Sequence, residues 1–179
     1  MGAQSAGSRV DLRECLENVR VEAGADAAEL FLTPPAGCDM VMVAQVGKAT
    51  RTFRERTRFR RGEGFPGLVA QTMKPLVCGD LRSDARYLRR SVLRQGFRGY
   101  VCTPVWGRGF LGSLNVAFRR DIPDESHILQ VVEHAADRLG PAIELAASRR
   151  PRRCEPFPSI PPFRPGRVST RRRARYWRS

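Results

Sequence analysis

Residues 62–70 read Gly-Glu-Gly-Phe-Pro-Gly-Leu-Val-Ala, and the rest of the chain is organised around this stretch. Glycine has no Cβ, so the glycines at 62, 64 and 67 permit a tight turn and a close backbone approach before a helix. The run 68–73 suits a short buried helix. Lys74-Pro75 ends that helix, because proline disfavours helical backbone in the residue before it and has no N–H to donate.

Apolar segments on both sides of this stretch predict strands. Segments 100–106 and 110–118 are separated by Gly107-Arg108-Gly109, which predicts a β-hairpin. Segments 27–33 and 39–46 predict a second antiparallel hairpin. Two weaker predictions complete the sheet: a strand at 76–78, and an exposed connection with a short edge strand within the charged segment 51–61.

Helices are expected at both ends of the folded region. Apolar residues recur with helical spacing over 10–22. Pro123-Asp124-Glu125 begins a long helix over 124–147, because proline suits the first turn and acidic side chains suit its positive end. Pro141 lies inside the second pattern and is expected to kink this helix or to split it after Leu139.

The segment 80–100 predicts short helices with a basic outer face. Asp84 is expected to cap one of them, and 87–95 predicts another turn or two ending at Gly96. Leu88, Val92 and Leu93 are predicted to face inward. Several arginines are predicted to stay on the surface, namely Arg86, Arg89, Arg90, Arg94 and Arg98.

The order of these pieces over about 10–147 resembles that of a GAF domain, a small sensory domain of signalling proteins. The matching pattern is Gly-x-Gly-x-x-Gly-x-x-Ala at 62–70, Asp80-Leu81 after a strand, Thr103-Pro104-Val105, and Gly112-x-Leu-x-Val. The resemblance implies an α+β fold with a GAF/PAS-like antiparallel sheet flanked by helices on both faces. Terminal helices would cover one face and the central short helices the other. It also implies a noncatalytic sensory function.

In GAF domains a small molecule usually lies between the sheet and the helix-loop segment after the third strand. By this resemblance, the residues expected to line a pocket are Phe65, Leu81, Tyr87, Leu93, Phe97, Tyr100 and Cys102. The alternative for each is ordinary core packing. Arg94 or Arg98 is a candidate for bidentate contact with an anionic ligand, or else part of a solvated face. The ligand and any cofactor are unknown from the sequence.

Catalytic and metal sites are not predicted. Some GAF-like proteins are free methionine sulfoxide reductases with the pattern Gly-x-Gly-Val-Cys-Gly, but Pro66 stands where that cysteine would be. Their reactive cysteine falls in the region equivalent to 86–94, which here has none. Cys78 and Cys102 lie in apolar strands, where a thiol without a basic neighbour is inert. His127 and His134 would lie ~10 Å apart along a helix, too far to share a metal easily.

The composition of 179 residues predicts one domain with attachments: a flexible leader at 1–9, the domain at 10–148 and a tail at 149–179. There is no apolar run of ~18 residues, so no membrane-spanning helix is expected. Five cysteines without paired spacing favour reduced thiols in a cytoplasmic protein.

The terminal helices suggest how such a domain would signal. Their apolar stripes predict a homodimer through these helices, and the alternative is that both stripes pack on the domain's own sheet. No motif of a signalling enzyme or of a DNA-binding helix-turn-helix follows residue 148. The expectation is therefore action through a partner, such as a kinase or another regulator, or a chain that is a piece of a larger regulator.

The tail holds eleven arginines against one acid and is rich in proline, a composition typical of disorder. It offers an alternative function, nonspecific nucleic-acid binding, because arginines neutralise phosphates and aromatic rings stack on bases. The residues concerned are Arg171, Arg172, Arg173, Arg175, Tyr176 and Trp177. Since 30 of the 32 basic residues in the chain are arginine, nucleotide composition also accounts for the bias.

We expect the whole chain to bind single-stranded DNA weakly, in a salt-sensitive and sequence-independent way, and a chain ending at Ser148 not to bind. Fluorescence anisotropy at two salt concentrations with two unrelated oligonucleotides tests this. Binding that survives removal of the tail, or that discriminates strongly between sequences, would locate the contact in the folded domain. If neither protein binds at low salt, the tail has no such role.

Overall fold

The computed structural model describes residues 11–35 and 37–148. Within them, six strands form one antiparallel sheet in the order β3-β2-β1-β6-β5-β4. The strands are β1 (Ala27–Leu32), β2 (Met40–Gly47), β3 (Arg58–Phe59), β4 (Leu76–Cys78), β5 (Gly99–Trp106) and β6 (Phe110–Phe118). The helices are α1 (Leu12–Glu22), α2 (Thr50–Phe53), α3 (Gly64–Thr72), α4 (Arg90–Arg94) and α5 (Glu125–Ser148).

Helices cover both faces of the sheet, as the sequence predicted, and two cores result. Side chains alternate between the faces along each strand. The core on the face of the terminal helices α1 and α5 includes Leu16, Val19, Leu30, Val101 and Val132. The core on the face of α2, α3 and α4 includes Phe53, Val69, Val92, Tyr100 and Cys102.

Both predicted hairpins are confirmed, and their registers align polar residues on one face. Glu29 of β1 lies opposite Gln45 of β2 and opposite Asn115 of β6. Asn115 in turn lies opposite Cys102 of β5. Because directly paired residues of antiparallel strands project to the same face, these four side chains form a row across the sheet.

The glycine-rich stretch makes the tight approach that its sequence predicted, and α3 begins within it at Gly64 rather than at Leu68. Gly64 has φ +59°, and a Cβ there would come within 2.8 Å of the Phe59 ring. At Gly67 a Cβ would overlap the carbonyl oxygen of Arg60. Side chains at these positions would push α3 away from β3. The stretch therefore holds Phe65 at the buried start of α3.

Three predictions about local structure were wrong in part. Segment 51–61 supplies the predicted edge strand β3 but also α2, because Phe53 and Phe59 are buried. Asp84 caps no helix; its carboxylate accepts from the Arg86 N–H at 2.9 Å in a turn. The helix α5 is not split at Pro141. Pro141 is exposed, so a water molecule can donate to the helix carbonyl that the missing proline N–H leaves unpaired.

Candidate functional site

The residues predicted to line a pocket come together on the face of the sheet that packs against α2, α3 and α4. Six of them belong to one buried cluster, namely Phe65, Leu81, Tyr87, Phe97, Tyr100 and Cys102. Leu93 is half-buried and packs against this cluster. The rings of Phe65, Tyr87 and Tyr100 lie against one another, with centroids 5.4–5.6 Å apart.

A buried ion pair lies among these residues. The guanidinium of Arg89 donates to both carboxylate oxygens of Glu29, at 2.5 Å and 2.6 Å. The hydroxyl of Tyr100 donates to the same carboxylate at 2.7 Å and accepts from Arg89 at 3.1 Å. Glu29 is fully buried and Arg89 is 4% exposed. Each charge therefore has its counter-charge and hydrogen bonds in a region removed from water.

Aromatic rings enclose the guanidinium. Its central carbon lies 4.8 Å from the ring centroid of Phe53, 5.7 Å from that of Phe59 and 5.6 Å from that of Tyr87. The ring of Tyr100 is 6.0 Å away. At these distances the negative faces of aromatic rings attract a cation, by about 2 kcal/mol or more when water is excluded. The arrangement is that of a cation-binding cage with a carboxylate at its base.

The polar row on the sheet extends the site beyond the ion pair. Asn115, opposite Glu29, is fully buried, and its amide oxygen and nitrogen both lack a hydrogen-bond partner among the described residues. Gln45 donates to the Val46 carbonyl at 2.7 Å, but its side-chain oxygen is also without a partner there. Each unsatisfied buried group costs about 1–3 kcal/mol. On this face, the amide of Asn115 and the side-chain oxygen of Gln45 therefore remain without hydrogen bonds to the described residues.

These surroundings shift the pKa values of the interacting groups. Burial, the largest single effect, lowers the pKa of Arg89, but the charge of Glu29, the neighbouring tyrosines and the hydrogen bond to Glu29 together outweigh burial, and the pKa lies well above its ordinary value. Burial raises the pKa of Tyr100 well above its ordinary value, and the charge of Glu29 adds to this effect. Both groups keep their protons at neutral pH, so both remain donors to the carboxylate.

The prediction that Arg89 stays on the surface was wrong. Helical periodicity places Arg89 on the polar side of its segment, but residues 87–89 are not helical and α4 begins only at Arg90, so the side chain of Arg89 is buried instead. Glu29 was missed altogether, although a signal was present. It is the single charge in the apolar strand Ala27–Leu32, where an unpaired carboxylate would be costly. Phe53 and Phe59 were missed because their segment is dominated by charges.

The cysteines of the central strands lie in surroundings that disfavour thiolate. Burial raises the pKa of the fully buried Cys102. Burial is also the main reason that the pKa of Cys78 is raised, and the charge of Asp84 contributes. Because the thiolate is the reactive form, neither thiol is set up as a nucleophile at neutral pH.

Other candidate residues do not belong to the buried cluster. Arg94 is exposed and Arg98 is half-buried. The tail residues Arg171–Trp177 proposed for nucleic-acid contact lie outside the described residues. The described part of the chain holds neither a group of three or more His, Cys, Asp and Glu side chains placed to hold a metal ion nor a helix long and apolar enough to cross a membrane.

Breaking the ion pair from either side should be strongly destabilising, because the remaining charge would be buried alone. We expect Arg89→Ala to lower the free energy of unfolding by about 3–5 kcal/mol. The neighbouring Arg90→Ala is the matched control; Arg90 is exposed, so its change should stay within about 0.5 kcal/mol. Urea unfolding followed by circular dichroism measures both.

The double variant Glu29→Leu/Arg89→Met extends this test. It removes both charges while keeping apolar volume, so its stability should be at least close to that of the wild type and should exceed that of Arg89→Ala by about 3–5 kcal/mol or more. Equal stability of Arg89→Ala and Arg90→Ala would contradict the burial of Arg89.

Comparison with known proteins agrees with this fold. The chain is 29% identical over 153 residues to a Nif-specific regulatory protein of Herbaspirillum seropedicae, a match that covers 79% of this chain and 28% of that relative. Among solved structures, it is similar to the GAF domain of a phosphoenolpyruvate-protein phosphotransferase from Coxiella burnetii, with 23% identity, a TM-score of 0.64, and coverage of 76% of this chain and 82% of that one.

A second structural neighbour is an enzyme, free methionine-R-sulfoxide reductase from Neisseria meningitidis in complex with its substrate. The identity is 14% and the TM-score 0.65, over 76% of this chain and 78% of that one. Such likenesses establish the shared fold. The GAF domain family model itself matches residues 11–143. Because that match spans most of the chain and the architecture agrees with it, this protein belongs to the GAF domain family.

Proposed function

We propose that this protein is a noncatalytic sensory domain that binds a small molecule between the sheet and residues 80–100 and signals through its terminal helices. The observation that carries the proposal is the buried cluster of Glu29, Arg89, Tyr100 and Asn115. A buried ion pair adds little to stability compared with well-packed apolar residues, and strongly shifted pKa values concentrate at functional sites. The regulatory relative supports a sensory function.

Strand β5 supplies the connection from the site to the helices. Tyr100 and Cys102 belong to the core around the ion pair, whereas Val101 and Val105 belong to the core shared with α1 and α5. A ligand that shifts Tyr100 would therefore also shift the surface on which α5 packs. Packed cores do not deform continuously, so a small shift at the site can change the position of the helix.

A reductase function has less support. Pro66 stands in place of the cysteine of the reductase pattern, and the pKa values of Cys78 and Cys102 are raised. The output would require a partner such as a kinase or another regulator. The proposed location is the cytoplasm, on the ground that the five cysteines show no paired spacing.

The pocket is tested by adding bulk at its margin. Leu93→Trp should abolish binding of any small molecule that stabilises the wild type, because Leu93 packs against the buried cluster. The measurement is the shift in melting temperature across a metabolite library, followed by calorimetry with each active compound. Arg94→Trp adds the same bulk at an exposed neighbouring position and should retain binding.

The result that opposes the proposal is a library without any stabilising compound, together with native mass spectrometry that finds no small molecule on protein purified from its own host. If folded Leu93→Trp still binds the compound, the binding site does not lie against residues 80–100.

We also propose a homodimer through the terminal helices. Their main stripes pack on the sheet of their own domain, but Val21 of α1 and Leu145 of α5 are 62% and 53% exposed. Pairing of these helices would cover both. Sedimentation at micromolar concentration should show a dimer that Val21→Glu or Leu145→Glu weakens by about tenfold or more, because a charge would enter an apolar contact. A clean monomer for the wild type excludes stable pairing.

A further inference from the structure

The buried carboxylate of Glu29 is a receptor for a planar cation. It binds a guanidinium through two parallel hydrogen bonds, the Tyr100 hydroxyl orients it, and the rings of Phe53 and Phe59 cover the cation. Glu29 and Tyr100 stand on β1 and β5, and β1 is paired on both sides. The receptor half of the site is thus built on the rigid sheet.

The guanidinium that occupies this receptor comes from a less constrained part of the chain. Arg89 precedes α4, a helix of five residues, and follows the turns of segment 81–86. At the start of that segment, the ion pair Arg82–Asp80 is largely exposed. In the pair Arg86–Asp84 the guanidinium is exposed, whereas the Asp84 side chain is 13% exposed. An exposed pair such as Arg82–Asp80 contributes about 0–1 kcal/mol. Arg89 can therefore withdraw at a lower cost than Glu29 could leave the centre of the sheet.

Charge balance then restricts what can replace Arg89. A neutral or anionic ligand that displaced Arg89 would leave the Glu29 carboxylate buried without a counter-charge, at a cost of several kcal/mol. An incoming cation exchanges one ion pair for another and leaves the net charge of the site unchanged. A planar cation also reproduces the two parallel hydrogen bonds, which an ammonium group cannot.

We propose that this site takes an organic cation of the guanidinium class in place of Arg89. The proposal rests on the proposed small-molecule function and adds the class of ligand. The unsatisfied amide of Asn115 and side-chain oxygen of Gln45, in the same row as Glu29, would hydrogen-bond further polar groups of the ligand. When no ligand is bound, the guanidinium of Arg89 then occupies the site and stabilises the ligand-free conformation.

The test removes the Arg89 guanidinium by substitution and then adds a small cation that can bind the Glu29 carboxylate in its place. In Arg89→Ala, methylguanidinium should raise the melting temperature in a saturable way at low-millimolar concentration. Methylurea, a neutral molecule of nearly the same shape, should not, and neither should sodium acetate. In the wild type, methylguanidinium must compete with Arg89. Its apparent dissociation constant should therefore be weaker by about tenfold or more, in proportion to the fraction of open sites.

Two further variants control for indirect effects. Arg90→Ala removes an exposed arginine next to the site and should behave as the wild type does. Glu29→Gln/Arg89→Ala removes both charges and should lose the preference for methylguanidinium over methylurea. If Arg89→Ala does not fold alone, refolding yield with methylguanidinium against methylurea replaces the melting curve, and only the cation should restore it.

Equal effects of methylguanidinium and methylurea on Arg89→Ala, in either measurement, would overturn the cation assignment. So would a preference for methylguanidinium that persists without Glu29. These outcomes leave the proposed sensory function intact, since that function fails when no library compound stabilises the wild type and protein purified from its own host carries no small molecule. A metabolite screen that yields only anionic or neutral ligands blocked by Leu93→Trp would support the sensory function and contradict the cation assignment.

Discussion

The pairing of Arg89 with Glu29 is the constraint on which the interior of this domain depends. It joins the central strand β1 to the irregular segment before α4, which also buries Leu81 and Tyr87. Removing either partner would leave a charge in a region without water, so the segment, the aromatic rings and the sheet are held in one arrangement. The same dependence makes the pair a natural control point, because a competitor for Glu29 would release the segment.

Under the proposed function, the placement of this pair would couple a ligand to the terminal helices. The site lies on one face of the sheet and the terminal helices lie on the other. Only the single layer of the sheet separates them. Tyr100 and Val101 are adjacent in β5 yet contribute to different cores. Distance is therefore not an obstacle to signalling in this fold. What matters is whether the strand has two stable positions, which packed cores favour.

The match to the regulatory relative covers only part of that protein's length. This chain matches 28% of that protein, and the match covers 79% of this chain. The structural neighbours include both a GAF domain of a phosphotransferase and a reductase, so the fold accommodates regulation and catalysis alike. Here, burial raises the pKa of the Cys102 thiol, which disfavours the reactive thiolate at that position.

Much of the architecture follows from sequence: the glycine-rich turn before α3, both hairpins and the terminal helices have local causes in backbone sterics and apolar periodicity, and the resemblance to GAF domains implied the α+β arrangement. The gathering of Phe65, Tyr87 and Tyr100 was also predictable, by resemblance. The partner of Glu29 was not. Sixty residues separate it from Arg89, and among 30 arginines no local pattern marks the buried one. Only the tertiary structure could decide that, because burial of a charge depends on which counter-charge the fold brings within hydrogen-bonding distance.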